Sequence, residues 1–447
     1  PDWVLTPPAA YDLAGWGAVE DARFWDSLRG WETDATVAAF RKFVRFVTPF
    51  FKDDVKYFVT LNEPVGTVTG GGYMAGIFPP GFLAVGDKAR TAYHNLIDAH
   101  IAAYDEIKAI VPADAKVGVS HWVGFARRAP QTIACKIFIG DNEAAKNQWN
   151  YAVNQYFLDA IVLGHRNLDI WRKNTPSILE ESQNKVDFIA PQYYRACDIY
   201  HDVGVALTAP WWGGGFTGDL RNSTNYLAKF LWNDLGWTIY PGGLYVLLKD
   251  IYSRYSKPIL ITENGICEKQ DRNRAAYTIS HLQQVLRAIR DGVDVIGYIH
   301  WSIADNFEWA FDYQDSSRFG LFSVDRDTDP DSNNLKSFPR HITEGALAYQ
   351  YVIANSRRIT QTKSTEDPFE AVVTRFGTIT ADGMEVHAPD QPAGALWEGE
   401  FPSGDGPAFV LYLSRLAADM WLGMIFFQDT RRWQLLLDIS WLSNGDS

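Results

Sequence analysis

Apolar positions along the chain follow two alternating rhythms. Between 34 and 51 they fall at helical spacing, with Val37, Phe40, Val44, Val47 and Phe51 on one stripe, which predicts an amphipathic helix. The run 55–61 that follows is apolar and β-branched on both faces, as a strand buried on two sides would be. The pair then recurs. Helix 89–110 (Tyr93, Leu96, Ile97, Tyr104 and Ile107 in phase) precedes strand 116–121, and helix 143–163 precedes strand 186–192. Helix 244–255 leads to strand 257–263, and helix 275–289, stopped by Gly292, leads to strand 293–301. A last helix ends near Asn355, and a short apolar stub at 3–6 stands before the series. Such alternation demands a parallel sheet. Gly70-Gly71-Gly72 and Phe78-Pro79-Pro80-Gly81 lack the spacing and the Lys-Ser/Thr of a phosphate loop, and are expected to form a flexible rim segment.

Beyond 355 the rhythm changes. Thr378-Ile379-Thr380 and Met384-Glu385-Val386-His387 flank Asp382-Gly383 as the arms of a hairpin flank its turn. Apolar runs at 408–413, 420–427 and 433–440 continue the two-residue alternation. Residues 1–355 are therefore expected to form the strand–helix domain, 356–372 a polar linker, and 373–447 a small β-rich accessory module.

Composition narrows the partners. A formal charge of −13 argues against nucleic acid or an anionic membrane surface. The longest apolar stretch, 409–427, is interrupted by Arg415 and Asp419, so no membrane span is expected. Cys135, Cys197 and Cys267 offer neither a disulfide framework nor metal-ligand spacing, so a reducing, cytoplasmic setting without metal or cofactor is expected. The oligomeric state is left open. Most of the 17 tryptophans must fill the core, yet such a surplus also suits a sugar site, where a flat ring covers the apolar face of a pyranose.

Two strands end in a carboxylate: Thr60-Leu61-Asn62-Glu63-Pro64 and Ile261-Thr262-Glu263-Asn264-Gly265. Each is punctuated at once by Pro or by Asn-Gly, as when a parallel strand delivers one polar group to the rim of its sheet. Polar groups at the C-terminal ends of several strands fit the catalytic face of a (β/α)8 barrel. Either glutamate alone is as readily a rim or helix-capping residue. Together, two carboxylates at one rim are the minimal equipment for cleaving a glycosidic bond, with retention at a separation of about 5–5.5 Å and inversion at a wider one.

These two blocks resemble the acid/base and nucleophile motifs of glycoside hydrolase family 1, the β-glucosidase family. Tyr298 to Trp309, followed by Arg318-Phe319-Gly320-Leu321, is similar to the family's eighth-strand signature. Gly236-Trp237-Thr238-Ile239-Tyr240-Pro241 is similar to the segment before its nucleophile strand. The resemblance implies a (β/α)8 TIM barrel and retaining hydrolysis of a small-molecule β-glycoside or oligosaccharide. It makes Glu263 the nucleophile, Glu63 the acid/base, Asn62 a donor to the sugar 2-hydroxyl and Tyr194 a hydrogen-bond partner of the nucleophile. Trp301 would stack on the glycone, Glu308 accept from the 4- and 6-hydroxyls, Trp309 donate its indole N–H, and Trp237 serve as the aglycone platform. Glu308-Trp309 also implies an unphosphorylated glycone, because the 6-phospho branch of the family carries other residues there.

The chain departs from the family pattern in places. Gln192 stands where Asn is usual, and His300 replaces a small or apolar residue. Val4-Leu5-Thr6 runs into Pro7-Pro8-Ala9 where the family's third strand ends in His-Trp. Two strand–helix units of the family would precede this point. The resemblance thus implies a barrel incomplete at its N-terminus and a chain that is not by itself a competent catalyst. The rival reading is a non-catalytic carbohydrate-binding or regulatory barrel. Both glutamates weigh against it, since binding alone needs only one.

Overall fold

The computed structural model describes residues 30–82, 86–128, 142–166, 177–201, 215–217, 231–326, 338–361, 367–387, 396–399, 409–417, 420–427 and 432–437. The expected strand at 3–6, the Pro7-Pro8-Ala9 departure and Cys135 lie outside them. Helix α1 (Asp34–Val47) is capped by Thr33, whose hydroxyl accepts from the Ala35 N–H. Strand β1 (Tyr57–Asn62), helix α2 (Gly86–Ile110) and strand β2 (Lys116–Arg128) follow. Helices α3 (Asn142–Asn150) and α4 (Tyr156–Val162), joined by a wider turn, lead to the hairpin β3 (Leu163–Arg166) and β4 (Ser177–Gln183). Next come β5 (Phe188–His201), β6 (Gly215–Thr217), α5 (Pro241–Tyr255), β7 (Ile259–Ile261), α6 (Arg274–Arg290), β8 (Val295–Tyr298) and α7 (Glu344–Ala354).

Strands β1, β2, β5, β7 and β8 pair in parallel in that order, and β6 adds an antiparallel pairing to β5. This is the sheet that the strand–helix alternation called for: five neighbouring strands of a (β/α)8 barrel. Its core joins Val117, Val119, Ile189, Tyr193, Ile259 and Ile261 from the strands to Leu96, Phe157 and Leu248 from the helices. Burying each large apolar side chain is worth about 1.5–3 kcal/mol. Strands β1 and β8 are the outer edges, and among the described residues neither pairs with a further parallel strand. Tyr57, Val59, Ile296 and Ile299 are exposed at these edges, as are Phe43, Phe46 and Phe50 on and after α1.

Two expectations are corrected. The glycine-rich segment is not a flexible rim: Pro64–Met74 winds into wide helical turns, with Ala75 N–H donating to Gly70 C=O at 2.8 Å and Gly71, Gly72, Tyr73 and Met74 buried. A Cβ on Gly71 would lie 2.2 Å from Phe78, and one on Gly72 would lie 2.6 Å from the Pro79 carbonyl oxygen. The glycines serve close packing, which sequence pattern alone does not separate from freedom to move. The polar stretch expected as a linker also holds helix α8 (Ser356–Gln361), and α9 (Glu370–Phe376) follows across its end. Phe369, Val372 and Phe376 are buried against Ile279, Leu282 and Leu286 of α6 and Val352 of α7.

The hairpin about Asp382-Gly383 forms, pairing Thr378–Ile379 with Val386–His387. Farther on, Leu396–Gly399, Phe409–Ala417, Met420–Phe427 and Arg432–Leu437 make an antiparallel sheet in chain order.

Candidate active site

The C-terminal ends of the parallel strands open into a cavity of about 880 Å³. Glu63 stands where β1 breaks off, with φ 49° and ψ 52°. A non-glycine residue held in that left-handed conformation costs of order 1–3 kcal/mol. The Glu63 N–H donates to the Ser120 carbonyl of β2 at 2.9 Å, which ties this turn to the sheet. The following helical segment brings Thr67 back over Glu63, and the Thr67 hydroxyl donates to the Glu63 carboxylate. Glu263 lies two residues past β7, where its carbonyl accepts from Tyr193 N–H at 3.0 Å. Its neighbours are as constrained: Asn264 Nδ2 donates to the Tyr193 carbonyl at 2.6 Å, and a Cβ on Gly265 would strike the Trp301 carbonyl oxygen at 1.8 Å.

Each oxygen of Glu263 accepts one hydrogen bond, Oε1 from Gln192 Nε2 at 2.6 Å and Oε2 from the Tyr194 hydroxyl at 2.5 Å. Burial pushes its pKa up, and these two donors hold it back. Gln192 Nε2 also donates to Asn62 Oδ1 at 2.7 Å, so one amide links the rim of β1 to the Glu263 carboxylate. Glu63 has no comparable support. Burial first, then the charges of Glu263 and Glu308, push it up to about 8 against the opposing Thr67 bond. Glu308 is pushed up to about 7, chiefly by burial, with the Trp301 indole opposing and Glu263 adding repulsion. At neutral pH Glu63 therefore holds its proton.

Trp237, Tyr194 and Phe319 form an aromatic wall, with Trp237 5.9 Å from Tyr194 and 6.0 Å from Phe319 between ring centroids. Trp309 sits edge-on to Phe78 at 6.2 Å and is 58% exposed. The eight residues singled out in the sequence (Asn62, Glu63, Tyr194, Trp237, Glu263, Trp301, Glu308 and Trp309) all line this one cavity. Sequence reasoning overlooked Thr67, although its position one helical turn after Glu63 was a signal. It noticed Gln192 only as a departure and missed Arg195 beside Tyr194. His300 is buried against Tyr349, neither ring nitrogen finds a partner among the described residues, and burial pushes its pKa down to about 3. The described residues hold no cluster of three or more His, Cys, Asp or Glu placed for a metal ion, and no helix long and apolar enough to cross a membrane.

Comparison with known proteins agrees with this fold. The model of glycosyl hydrolase family 1 matches residues 25–357, so the hairpin and the antiparallel strands beyond lie outside the match. A β-galactosidase of Saccharolobus solfataricus is 36% identical over 307 residues, covering 67% of this chain and 57% of the relative. β-Glucosidase A of Acetivibrio thermocellus is 30% identical over 346 residues, covering 73% and 70%. Among solved structures, a family 1 glycoside hydrolase of Thermotoga maritima complexed with a cyclophellitol-type transition-state mimic aligns with TM-score 0.60. It is 28% identical, over 74% of this chain and 71% of that one. The β-glycosidase of Thermosphaera aggregans aligns with TM-score 0.58 and 26% identity, over 75% and 64%. The chain spans less than three fifths of the length of the archaeal β-galactosidases it matches. With the family model running over well more than half of its residues, the chain belongs to glycosyl hydrolase family 1.

Proposed function

We propose that this chain carries the catalytic pair of a retaining β-glycosidase acting on an unphosphorylated, β-glucoside-like substrate. The observation that carries the reading is the split between two partly buried glutamates on one cavity. Glu263 is braced by two donors, one to each oxygen, whereas Glu63 is pushed up to about 8. Two carboxyl groups in opposite protonation states are what an acid-assisted displacement requires.

In the first step the Glu263 carboxylate attacks the anomeric carbon while Glu63 gives its proton to the departing glycosidic oxygen, leaving a glycosyl ester on Glu263. The Glu263 charge, one of the causes raising Glu63, disappears with that ester. Glu63 becomes the stronger acid and stays ionised once its proton has gone. It then takes a proton from water, which attacks the anomeric carbon and frees Glu263. On this reading Glu308, Trp301 and Trp309 form the glycone pocket and Trp237 faces the aglycone, all four lining the one cavity. The relatives' names as β-galactosidases and β-glucosidases support the substrate class.

A dinitrophenyl 2-fluoro-β-glucoside tests this, because its good leaving group needs no acid and its fluorine slows release of the ester. Peptide mapping should find the sugar on Glu263. Binding of the compound without any label on Glu263 would favour a carbohydrate-binding barrel instead.

A further inference from the structure

A cation reaches the cavity through an irregularity in the sheet. Along a strand, successive side chains point to opposite faces. Strands β2 and β5 keep regular pairing up to Val123 with Tyr193 and resume it at Phe125 with Ala196. Gly124 alone therefore faces two residues, Tyr194 and Arg195, which makes a β-bulge, a device that re-aims side chains. Both consecutive residues consequently line the cavity, Tyr194 toward Glu263 and Arg195 against Trp237. The Arg195 guanidinium carbon lies 5.2 Å from the Trp237 ring centroid, within range for a cation–π contact.

Arg195 is the one cation among the described cavity-lining residues, which include four carboxylates, Glu63, Asp234, Glu263 and Glu308. It forms no ion pair with them: no described carboxylate lies within 4.0 Å of it, whereas Arg127 on β2 is paired with Asp198 at 2.6 Å. Nor does its charge figure among the groups that set Glu63, Glu263 or Glu308. Its charge also bears on the buried thiol of Cys197, which burial pushes up and Arg195 holds back. A half-buried guanidinium, over an aromatic platform and unclaimed by any described carboxylate, offers a fork of planar donors.

From this geometry we infer that Arg195 and Trp237 form an aglycone site selective for an aromatic ring bearing a carboxylate. The ring lies along Trp237, and the carboxylate takes the guanidinium fork. The inference rests on the glycosidase reading and adds the chemical class of the aglycone to it.

Calorimetric titration of the full chain with two non-hydrolysable ligands, para-carboxyphenyl and para-carbamoylphenyl thio-β-glucoside, tests it without requiring turnover. The carboxylate should bind about tenfold more tightly than the neutral amide at low salt, with the ratio shrinking as salt is added. Arg195→Gln should bring the ratio to one or below, because the ionised carboxylates of the cavity, Glu263 among them, then repel the anion. Arg195→Lys, which keeps the charge without the planar fork, should give an intermediate ratio. Circular dichroism melts would verify that both variants fold, and the unaltered chain gives the primary ratio whether or not they do. Equal affinities in the unaltered chain, or a preference that survives Arg195→Gln, would overturn the inference alone. Binding of neither ligand would overturn the glycosidase reading and the inference with it.

Discussion

Replacing Gln192 by Met probes the tightest coupling in the site. Gln192 is fully buried, and its side-chain amide donates to Asn62 and to Glu263 at 2.7 and 2.6 Å. Its carbonyl oxygen has no partner among the described residues, so a methionine of similar volume forfeits only those two bonds. A hydrogen bond to a charged group is worth about 1.5–3 kcal/mol. Losing the one to Glu263 lowers that residue's acid ionisation constant by a factor of roughly 10–150, since 1.36 kcal/mol is tenfold. Glu263 must be ionised to attack, and Glu63 at about 8 must be protonated, so the active window lies between them. With Glu263 raised further, the acid limb moves to higher pH and the window narrows from that side. The assay is the rate of inactivation by the dinitrophenyl 2-fluoro-glucoside against pH, which reads the attack of Glu263 without needing the acid. Tyr194→Phe, which removes the other donor, should move the limb the same way. An acid limb that stays in place in the Met variant, or moves to lower pH, would refute the assignment of Gln192 as a support for the ionised nucleophile.

In an intact version of the enzyme the two glutamates should differ in rescue: with a dinitrophenyl glucoside and azide, Glu263→Ala gives an azide product of inverted configuration and Glu63→Ala one of retained configuration. Product stereochemistry by proton NMR decides, and reversed outcomes would swap the roles. A 6-phospho-glucoside should be a poorer substrate than the plain glucoside in a competition assay, because the Glu308 carboxylate on the cavity wall would oppose the phosphate charge. Faster cleavage of the phosphorylated sugar would contradict that. Far from the site, Arg254→Met should destabilise the fold by about 3–5 kcal/mol in urea titrations. It strips the almost fully buried Asp159 of a two-pronged partner at 2.7 and 2.5 Å, leaving, among the described residues, the Tyr255 hydroxyl. A change below about 1 kcal/mol would mean that water or rearrangement compensates.

Local pattern carried the framework of this protein. The helical stripe of Phe40 and Val44 and the apolar run ending at Ile261 report which faces are buried, and burial periodicity is a property of neighbours in sequence. The run ending at Asn62 forms its strand, but the expectation that it is buried on two sides is corrected: β1 is an outer strand of the described sheet and Tyr57 and Val59 are exposed. The parallel order of the strands followed from the helices between them. The placing of Glu63 and Glu263 at strand ends was visible because Pro64 and Asn264-Gly265 stop the runs there. Tertiary structure decided what joins those ends. Gln192 bridges residues 130 and 71 positions away, and such bonds depend on strand order and register that no local pattern encodes. The bulge that sends Tyr194 and Arg195 to the same cavity arises from a mismatch between two strands, β2 and β5. Gly71 and Gly72 looked like freedom to move and proved to be close packing, because a missing Cβ permits either and only the neighbours, Phe78 and Pro79, distinguish them. The rise of Glu63 to about 8 likewise comes from burial and from the charges of Glu263, just past β7, and Glu308, in the loop after β8, which meet only once the sheet is built.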